Sequence, residues 1–480
     1  MAAEELMFRS AIELAALVRA GEVSARELVQ TSLERIEELN PALNAFVQVD
    51  EAGALATAER IAPGDARPFA GVPIAIKNNR PVEGLRLTYG CSLMAEHVAA
   101  YDHNVTRRLR AAGFVIVGTT TLPEYGILPV SEARLFGPTR NPWDLQRTPG
   151  GSSGGAAAAV AAGLVPVAHG NDGGGSVRIP AACCGLVGLK PARGRISPAP
   201  ELGDSDLGID GVLTRTVAET AAILDVLEGY ETGDATWAPP PSEPFAVSAR
   251  AEPRRLRIAA TTLPPQPDAV VEELCAGAVA DAAELLRSLG HDVEEVEPPW
   301  QDEQLRELFG VVFANQIALS IAYSGTVAGR APAEHEMEPM SWAIYSMVGK
   351  LDAISGLAAA ARLKNYARRL VAFLQPYDAL LTPALAERPL PIGTLDTSAP
   401  EPLSTFTRSA LFTPFTPVFN ATGQPAISLP LYDGADGMPL GVQLVGRPAG
   451  EGQLLALATQ LEGAVAWAER RAPFVARAPG

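Results

Sequence analysis

The sequence predicts a layered α/β fold, and three observations carry that expectation. Between residues 71 and 168, short apolar runs of strand length alternate with segments of helical periodicity. Hydrophobic residues make up 47% of the chain and charged residues 19%, which is the balance of a globular protein and not of a disordered chain or a coiled coil. At 480 residues the chain can bury roughly three quarters of its unfolded surface without disulfide or metal staples. Strands alternating with helices satisfy their apolar faces best as helices layered on a mostly parallel or mixed sheet.

The elements follow in order. Residues 11–19 and 25–39 show apolar residues at three- and four-residue spacing, separated by Gly21; Ser24 and Glu27 make a capping box for the second helix. Residues 71–76 read as a buried strand ending at Lys77, 105–112 as a helix and 114–118 as a strand. Residues 156–162 are helical, 165–168 extended and 216–228 helical. The proline-rich stretch 239–253 is a solvated connection. Beyond it lie a strand at 256–260, a helix at 270–289 and a strand at 291–296. Residues 301–375 are mainly helical; strands at 379–382, 426–431 and 441–445 precede a closing helix at 453–462. No internal repeat or heptad pattern interrupts this order.

Net charge is −17, which argues against a nucleic-acid binder and against docking on anionic lipid. The four cysteines, Cys91, Cys183, Cys184 and Cys275, show no C-x-x-C spacing and read as reduced thiols, so a cytoplasmic location is expected. Residues 1–10 carry Glu4 and Glu5 and no basic n-region, so no signal peptide is expected. The apolar run 155–168 is too short to span a bilayer and reads as a buried helix.

Two glycine-rich stretches carry the chemistry. Residues 149–155 read Pro-Gly-Gly-Ser-Ser-Gly-Gly, and residues 170–176 read Gly-Asn-Asp-Gly-Gly-Gly-Ser. Glycine is chosen where backbone adopts positive φ or approaches a ligand closely. Serines set among glycines offer a nucleophilic hydroxyl and backbone donors for an oxyanion from one loop. A flexible linker would not be clamped between apolar segments such as 156–162 and 179–189. A phosphate loop would continue into Gly-Lys-Ser/Thr, which is absent. The hydroxyl needs a base. His97, His103, His291 and His335 are scattered, and His169, beside the second loop, fits a core histidine better than a site residue. Lys77, at the end of an apolar strand, is the alternative, because burial would lower its pKa. No H-E-x-x-H or similar ligand cluster is present, so no metal and no cofactor are expected.

These residues resemble the amidase signature family. The resemblance is carried by G-G-S-S-G-G at 150–155, H-G-N-D-G-G-G-S-V-R-I-P-A at 169–181 and G-L-V-G-L-K-P at 185–191. The strand G-V-P-I-A-I-K at 71–77, F-G-P-T-R-N-P-W-D at 136–144, and the segments 423–430 and 437–446 also look like family segments. It implies an amidase signature fold, a central twisted mixed β-sheet covered by helices on both faces. One amidase domain would then span 1–480, with N-terminal helices to about 65, a signature core from about 66 to 230, and a variable helical substrate-side segment at about 300–375. The family's Ser–cis-Ser–Lys triad falls on Ser176 as nucleophile, Ser152 as the cis serine and Lys77 as base. The backbone N–H groups of Gly173, Gly174, Gly175 and Ser176 would form the oxyanion hole, with Ser153, Asp172 and Arg178 in support. Gly173 stands where the family commonly has Thr or Ile, which would widen the pocket. Asn78 stands where Asp is common, which would remove a negative charge beside Lys77.

Substrate is harder to read. Residues 168–172 and 193–198 are similar to the branch that includes 6-aminohexanoate cyclic-dimer hydrolases, whose broad neighbourhood acts on aryl amides, nylon oligomers and small carbamates. Tyr125, Ile127, Leu128, Phe313, Ile317, Trp342 and Tyr345 are candidates for an apolar pocket wall, although each also fits the core. Such a wall suits an uncharged small-molecule amide or carbamate, cleaved by a monomer or homodimer with no nucleic acid and no membrane involved. Two alternatives stand: the A subunit of a tRNA-dependent amidotransferase, which would need partners, and a catalytically idle scaffold, which the complete Lys77, Ser152 and Ser176 set argues against.

Overall fold

Residues 73–77 and 115–120 are buried at every position, which is what a strand covered on both faces requires. In the computed structural model, which describes residues 3–302 and 304–475, they lie side by side in an eleven-stranded sheet. The strands are β1 (Phe46–Val49), β2 (Pro73–Lys77), β3 (Val115–Thr120), β4 (Val167–Asp172), β5 (Val187–Lys190), β6 (Ile209–Thr214), β7 (Arg257–Ala260), β8 (Asp292–Glu295), β9 (Ala379–Pro383), β10 (Ala426–Asp433) and β11 (Pro439–Gly446). Their order is β1-β3-β2-β4-β6-β5-β10-β11-β9-β7-β8. The sheet is mixed: β3, β2 and β4 run parallel, as do β9, β7 and β8, and the pairings between these blocks are antiparallel. Helices pack on it throughout, so the expected α/β class is the observed one.

Most predicted elements appear within a few residues of their expected ends. Ser24 and Glu27 do form the capping box, on helix Ala25–Leu43. The apolar run 155–168 is not one helix: helix Gly154–Ala161 gives way to a turn and then to β4. The apolar segment 179–189 likewise divides. Helix Arg178–Cys184 ends at Gly185, whose φ of 69° makes a left-handed cap, and β5 follows. The helical segment 301–375 resolves into Leu305–Val327, Pro339–Val348 and Ala353–Leu374. Leu305–Val327 is long and apolar enough to cross a membrane, yet it packs on the other two helices and lines a cleft through Leu305, Arg306, Phe309 and Phe313. All four cysteines are free and buried.

A second, smaller core fixes the cleft wall. Trp300 meets Phe415 and Phe419 edge-on, at centroid distances of 6.2 and 6.4 Å, and Tyr366 donates to the Trp300 carbonyl. These contacts tie the start of helix Leu305–Val327 to helix Thr416–Thr422, and both approach the serine loops.

Candidate active site

Parallel pairing of β2 with β4 brings the C-terminal ends of both strands together, where ligands of α/β sheets commonly bind. Lys77 ends β2, and Asn171 and Asp172 end β4. The Lys77 side chain is wholly buried, and its Nζ lies 2.6 Å from Ser152 Oγ and 2.6 Å from Asn171 Oδ1. Asn171 Oδ1 also accepts from Asn79 Nδ2, which fixes it as an acceptor. It therefore takes one amine hydrogen, and Ser152 Oγ is the other partner of the same amine. Burial, and then the nearby Arg80 charge, push the Lys77 amine well below its usual 10.5.

Arg80 is held in place by Asp210, through Nε at 2.9 Å and Nη2 at 3.3 Å. Asp210 also meets His169 Nε2 at 3.1 Å, while His169 Nδ1 accepts from the Lys77 backbone N–H at 3.4 Å. His169 is thus a satisfied core histidine, held below its ordinary value by burial, and it faces Lys77 backbone rather than either serine. Asn78 does not tune the lysine by proximity of its side chain. Its amide clasps the Arg86 carbonyl, Thr119 Oγ1, and the Thr88 N–H and hydroxyl. The downward push on the Lys77 amine has burial as its largest cause and the Arg80 charge as the next.

Ser152 opens the turn before helix Gly154–Ala161, after a cis Gly151–Ser152 peptide. Gly151 has no room for a side chain, since a Cβ there would lie 2.4 Å from the Val130 carbonyl oxygen. The Ser153 N–H donates to the Ser176 carbonyl at 3.2 Å and its hydroxyl to the Asn171 carbonyl at 3.3 Å, so Ser153 joins the two serine loops. Ser176 lines the cleft, and its hydroxyl has no hydrogen-bond partner among the described residues. The Lys77–Ser152 contact is therefore made, while the two serine hydroxyls share no hydrogen bond.

Asp172 and Arg178 build the second loop from beneath. Both are fully buried and paired through Arg178 Nη2 and Nε, at 2.8 and 3.0 Å. Asp172 also accepts from the N–H groups of Gly175 and Val177 and from Asn420 Nδ2. Although burial opposes its charge, the Arg178 guanidinium and these donors hold its carboxyl well below the usual range. Arg178 reaches on to the Thr416 carbonyl, Gln443 Oε1 and Asn420 Oδ1. This arrangement corrects one expected donor: the Gly175 N–H is turned inward onto Asp172 at 2.8 Å and is not free for an oxyanion. The N–H groups of Gly173, Gly174 and Ser176 donate to nothing among the described residues. Gly175 is required for another reason. Its φ is +127°, and a Cβ would lie 2.2 Å from Thr416 Oγ1. Arg178→Met should destabilise the protein by about 3–5 kcal/mol, because it strands a buried carboxylate. A urea melt checks this, and an unchanged midpoint would contradict it.

The cleft at Ser176 has a volume of about 720 Å³ counted to its open mouth. Ile127, Leu128 and Phe313 line it as expected. Tyr125, Ile317, Trp342 and Tyr345 do not. Tyr125 is buried against Tyr89, with ring centroids 5.8 Å apart. Ile317 lies two turns past Phe309 on the same helix, about 12 Å along its axis and back in the core. Trp342 and Tyr345 pack on one another at 5.9 Å, against the main core. Phe309, Phe406, Ile179, Pro414 and Val418 line the cleft without having been expected there. Sequence periodicity offered a signal for Phe309, which is four residues before Phe313; Phe406 had none.

Known proteins bear on this geometry. The family model described as Amidase matches residues 27–455. The chain is 39% identical over 482 residues to a 6-aminohexanoate-cyclic-dimer hydrolase of Paenarthrobacter ureafaciens, covering 97% of this chain and 96% of that protein. Its fold is that of a solved 6-aminohexanoate cyclic dimer hydrolase in complex with substrate, with TM-score 0.91, 36% identity, and coverage of 98% of this chain and 99% of the other. A bacterial aryl acylamidase of the amidase signature family is similar at TM-score 0.87 and 25% identity, covering 99% and 100% of the two chains.

Proposed function

Because the chain belongs to the amidase family and is accordingly a hydrolase of C–N amide bonds, we propose that Lys77, Ser152 and Ser176 form its catalytic relay. Neutral Lys77 takes the proton of Ser152, and Ser152 takes that of Ser176. Ser176 Oγ adds to the carbonyl carbon, and the N–H groups of Gly173, Gly174 and Ser176 receive the oxyanion. Loss of one such donor typically costs about 2.7–4 kcal/mol of barrier. Collapse breaks the C–N bond, the leaving nitrogen takes the relayed proton, and water, deprotonated by the same relay, clears the acyl-enzyme. The observation that carries this reading is a buried lysine with its amine 2.6 Å from a serine hydroxyl, beside a second serine whose hydroxyl is unpartnered. Catalytic hydrogen bonds are commonly open without substrate and close around it, so the missing serine–serine contact is compatible with the relay.

The cleft favours an uncharged substrate. Arg306 is the one charged side chain among its lining residues, and Asp268 already pairs with it. Free glutamine, which an amidotransferase subunit would bind, brings a carboxylate and an ammonium that this wall does not answer. Substrates for a first screen are anilides, aliphatic amides, 6-aminohexanoate oligomers, carbamates and esters. Hydrolysis of at least one neutral amide or carbamate by the isolated chain is expected; activity appearing only with a partner protein would contradict the proposal.

A pH profile follows from the lysine. Protonation removes the lone pair that the relay needs, and the Lys77 amine is held well below its usual 10.5. So kcat/KM should fall on the acid side and reach its plateau well before pH 10.5. A flat profile, or one still climbing through that pH, would count against a buried lysine base.

A further inference from the structure

Three aromatic rings stand in a row along the cleft. Phe309 and Phe313, one turn apart on helix Leu305–Val327, stack with centroids 5.7 Å apart and planes at 16°. Phe313 stacks in turn on Phe406 of helix Pro402–Phe412, at 5.9 Å and 24°. All three line the cleft and are only partly buried, although each carries a large apolar area that burial would favour. The row begins at the proposed oxyanion loop: a Cβ on Gly174 would lie 3.5 Å from Phe309, and one on Gly173 would lie 3.9 Å from Phe313. The small residue at 173 therefore leaves the Phe313 edge open to a group held at Ser176. Ile127, Leu128, Pro414 and Val418 complete an apolar wall.

Resting on the amidohydrolase reading of Ser176, we propose that the Phe309–Phe313–Phe406 row is the binding surface for an aromatic ring of the substrate, so that the enzyme selects aryl-bearing amides or carbamates over alicyclic ones of equal size. An aryl ring and a cyclohexyl ring bury similar areas here. Only the aryl ring has the quadrupole that rewards offset-stacked or edge-on contact with phenylalanine. The preference is thus separable from simple hydrophobicity.

The test uses matched neutral amides: benzoyl against cyclohexanecarbonyl on one amine, and benzyl against cyclohexylmethyl on the amine side of one acyl group. The aryl-to-alicyclic ratio of kcat/KM is compared between wild type and the variants Phe309→Leu and Phe313→Leu, which keep apolar volume and cancel differences in intrinsic reactivity. In at least one series the ratio should drop roughly three- to tenfold in the variants, as expected for loss of an aromatic pair. An equal loss on both members of each pair would overturn the proposal. Calorimetric binding of the same compounds to Ser176→Ala, with and without the leucine changes, reads the row without turnover. An aryl preference that vanishes with Phe313→Leu supports it, and equal Kd ratios overturn it. If wild type cleaves nothing while the aryl preference in binding persists, the hydrolytic reading of Ser176 fails and the ring site stands.

Discussion

Ser176→Ala is expected to lower kcat by about six orders of magnitude, the scale seen when a serine nucleophile is removed from a relay that acts as a unit. The two serines of the neighbouring loop are already engaged. Ser152 is engaged by Lys77, and Ser153 donates to the Asn171 carbonyl. The fold should not notice the change. The Ser176 hydroxyl has no hydrogen-bond partner to strand, so stability should change little, by about 1 kcal/mol at most. This separation makes the result informative, because lost activity cannot be blamed on lost structure. Residual hydrolysis should remain above that in water, since the Gly173, Gly174 and Ser176 N–H groups survive the substitution. A variant with near-normal turnover would remove Ser176 from the mechanism.

Lys77→Met should be nearly as damaging to kcat, for a different reason. Methionine fills most of the lysine volume but offers no lone pair to Ser152. Here stability should also fall, by about 1–3 kcal/mol, because Ser152 Oγ loses its buried partner, whereas Asn171 Oδ1 keeps the Asn79 amide. Lys77→Arg should not restore activity, since guanidinium cannot give up its proton in a protein. It would also place a permanent cation at a wholly buried position, near the Arg80 charge. The pair of variants separates a base from a mere charge: if arginine rescued turnover, lysine would be acting through its positive charge and the relay would be wrong.

The serines and the lysine were legible because their chemistry demands an unusual local sequence. Gly151 and Gly175 have no room for a Cβ, and that crowding leaves a written trace of glycines around Ser152 and Ser176. The network beneath them left less. Arg80 and Asp210 lie 130 residues apart, and Asn420 reaches Asp172 across 248 residues, so only tertiary packing brings them together. Asn171 lies within a recognisable stretch, but nothing in its neighbours says that its oxygen meets Lys77. Gly175 shows the opposite error, for a glycine in the right loop turns its N–H the wrong way. The pocket was the least legible part. Leu128 and Phe313 line the cleft, yet Trp342 and Tyr345 look equally apolar in sequence and pack against the main core away from it. In the fold, β2 and the first half of β3 announced themselves as apolar runs, whereas β4 was legible only at its start, Val167 and Ala168. β5 has only four residues, and Gly188 in β5 and Gly211 in β6 blur the strand pattern.

The protein contains four lysines, Lys77, Lys190, Lys350 and Lys364, which makes its central group directly observable. Lys350 and Lys364 are exposed; Lys190 is buried and pushed down to about 7 by that burial and by Arg178. With ε-13C-labelled lysine, a carbon NMR pH titration should show two signals that lose their proton early, one of them absent from Lys77→Met. That signal should complete its titration well below pH 10.5. If the signal assigned to Lys77 instead titrates at 10.5, the amine is an ordinary ammonium at working pH and cannot arm Ser176.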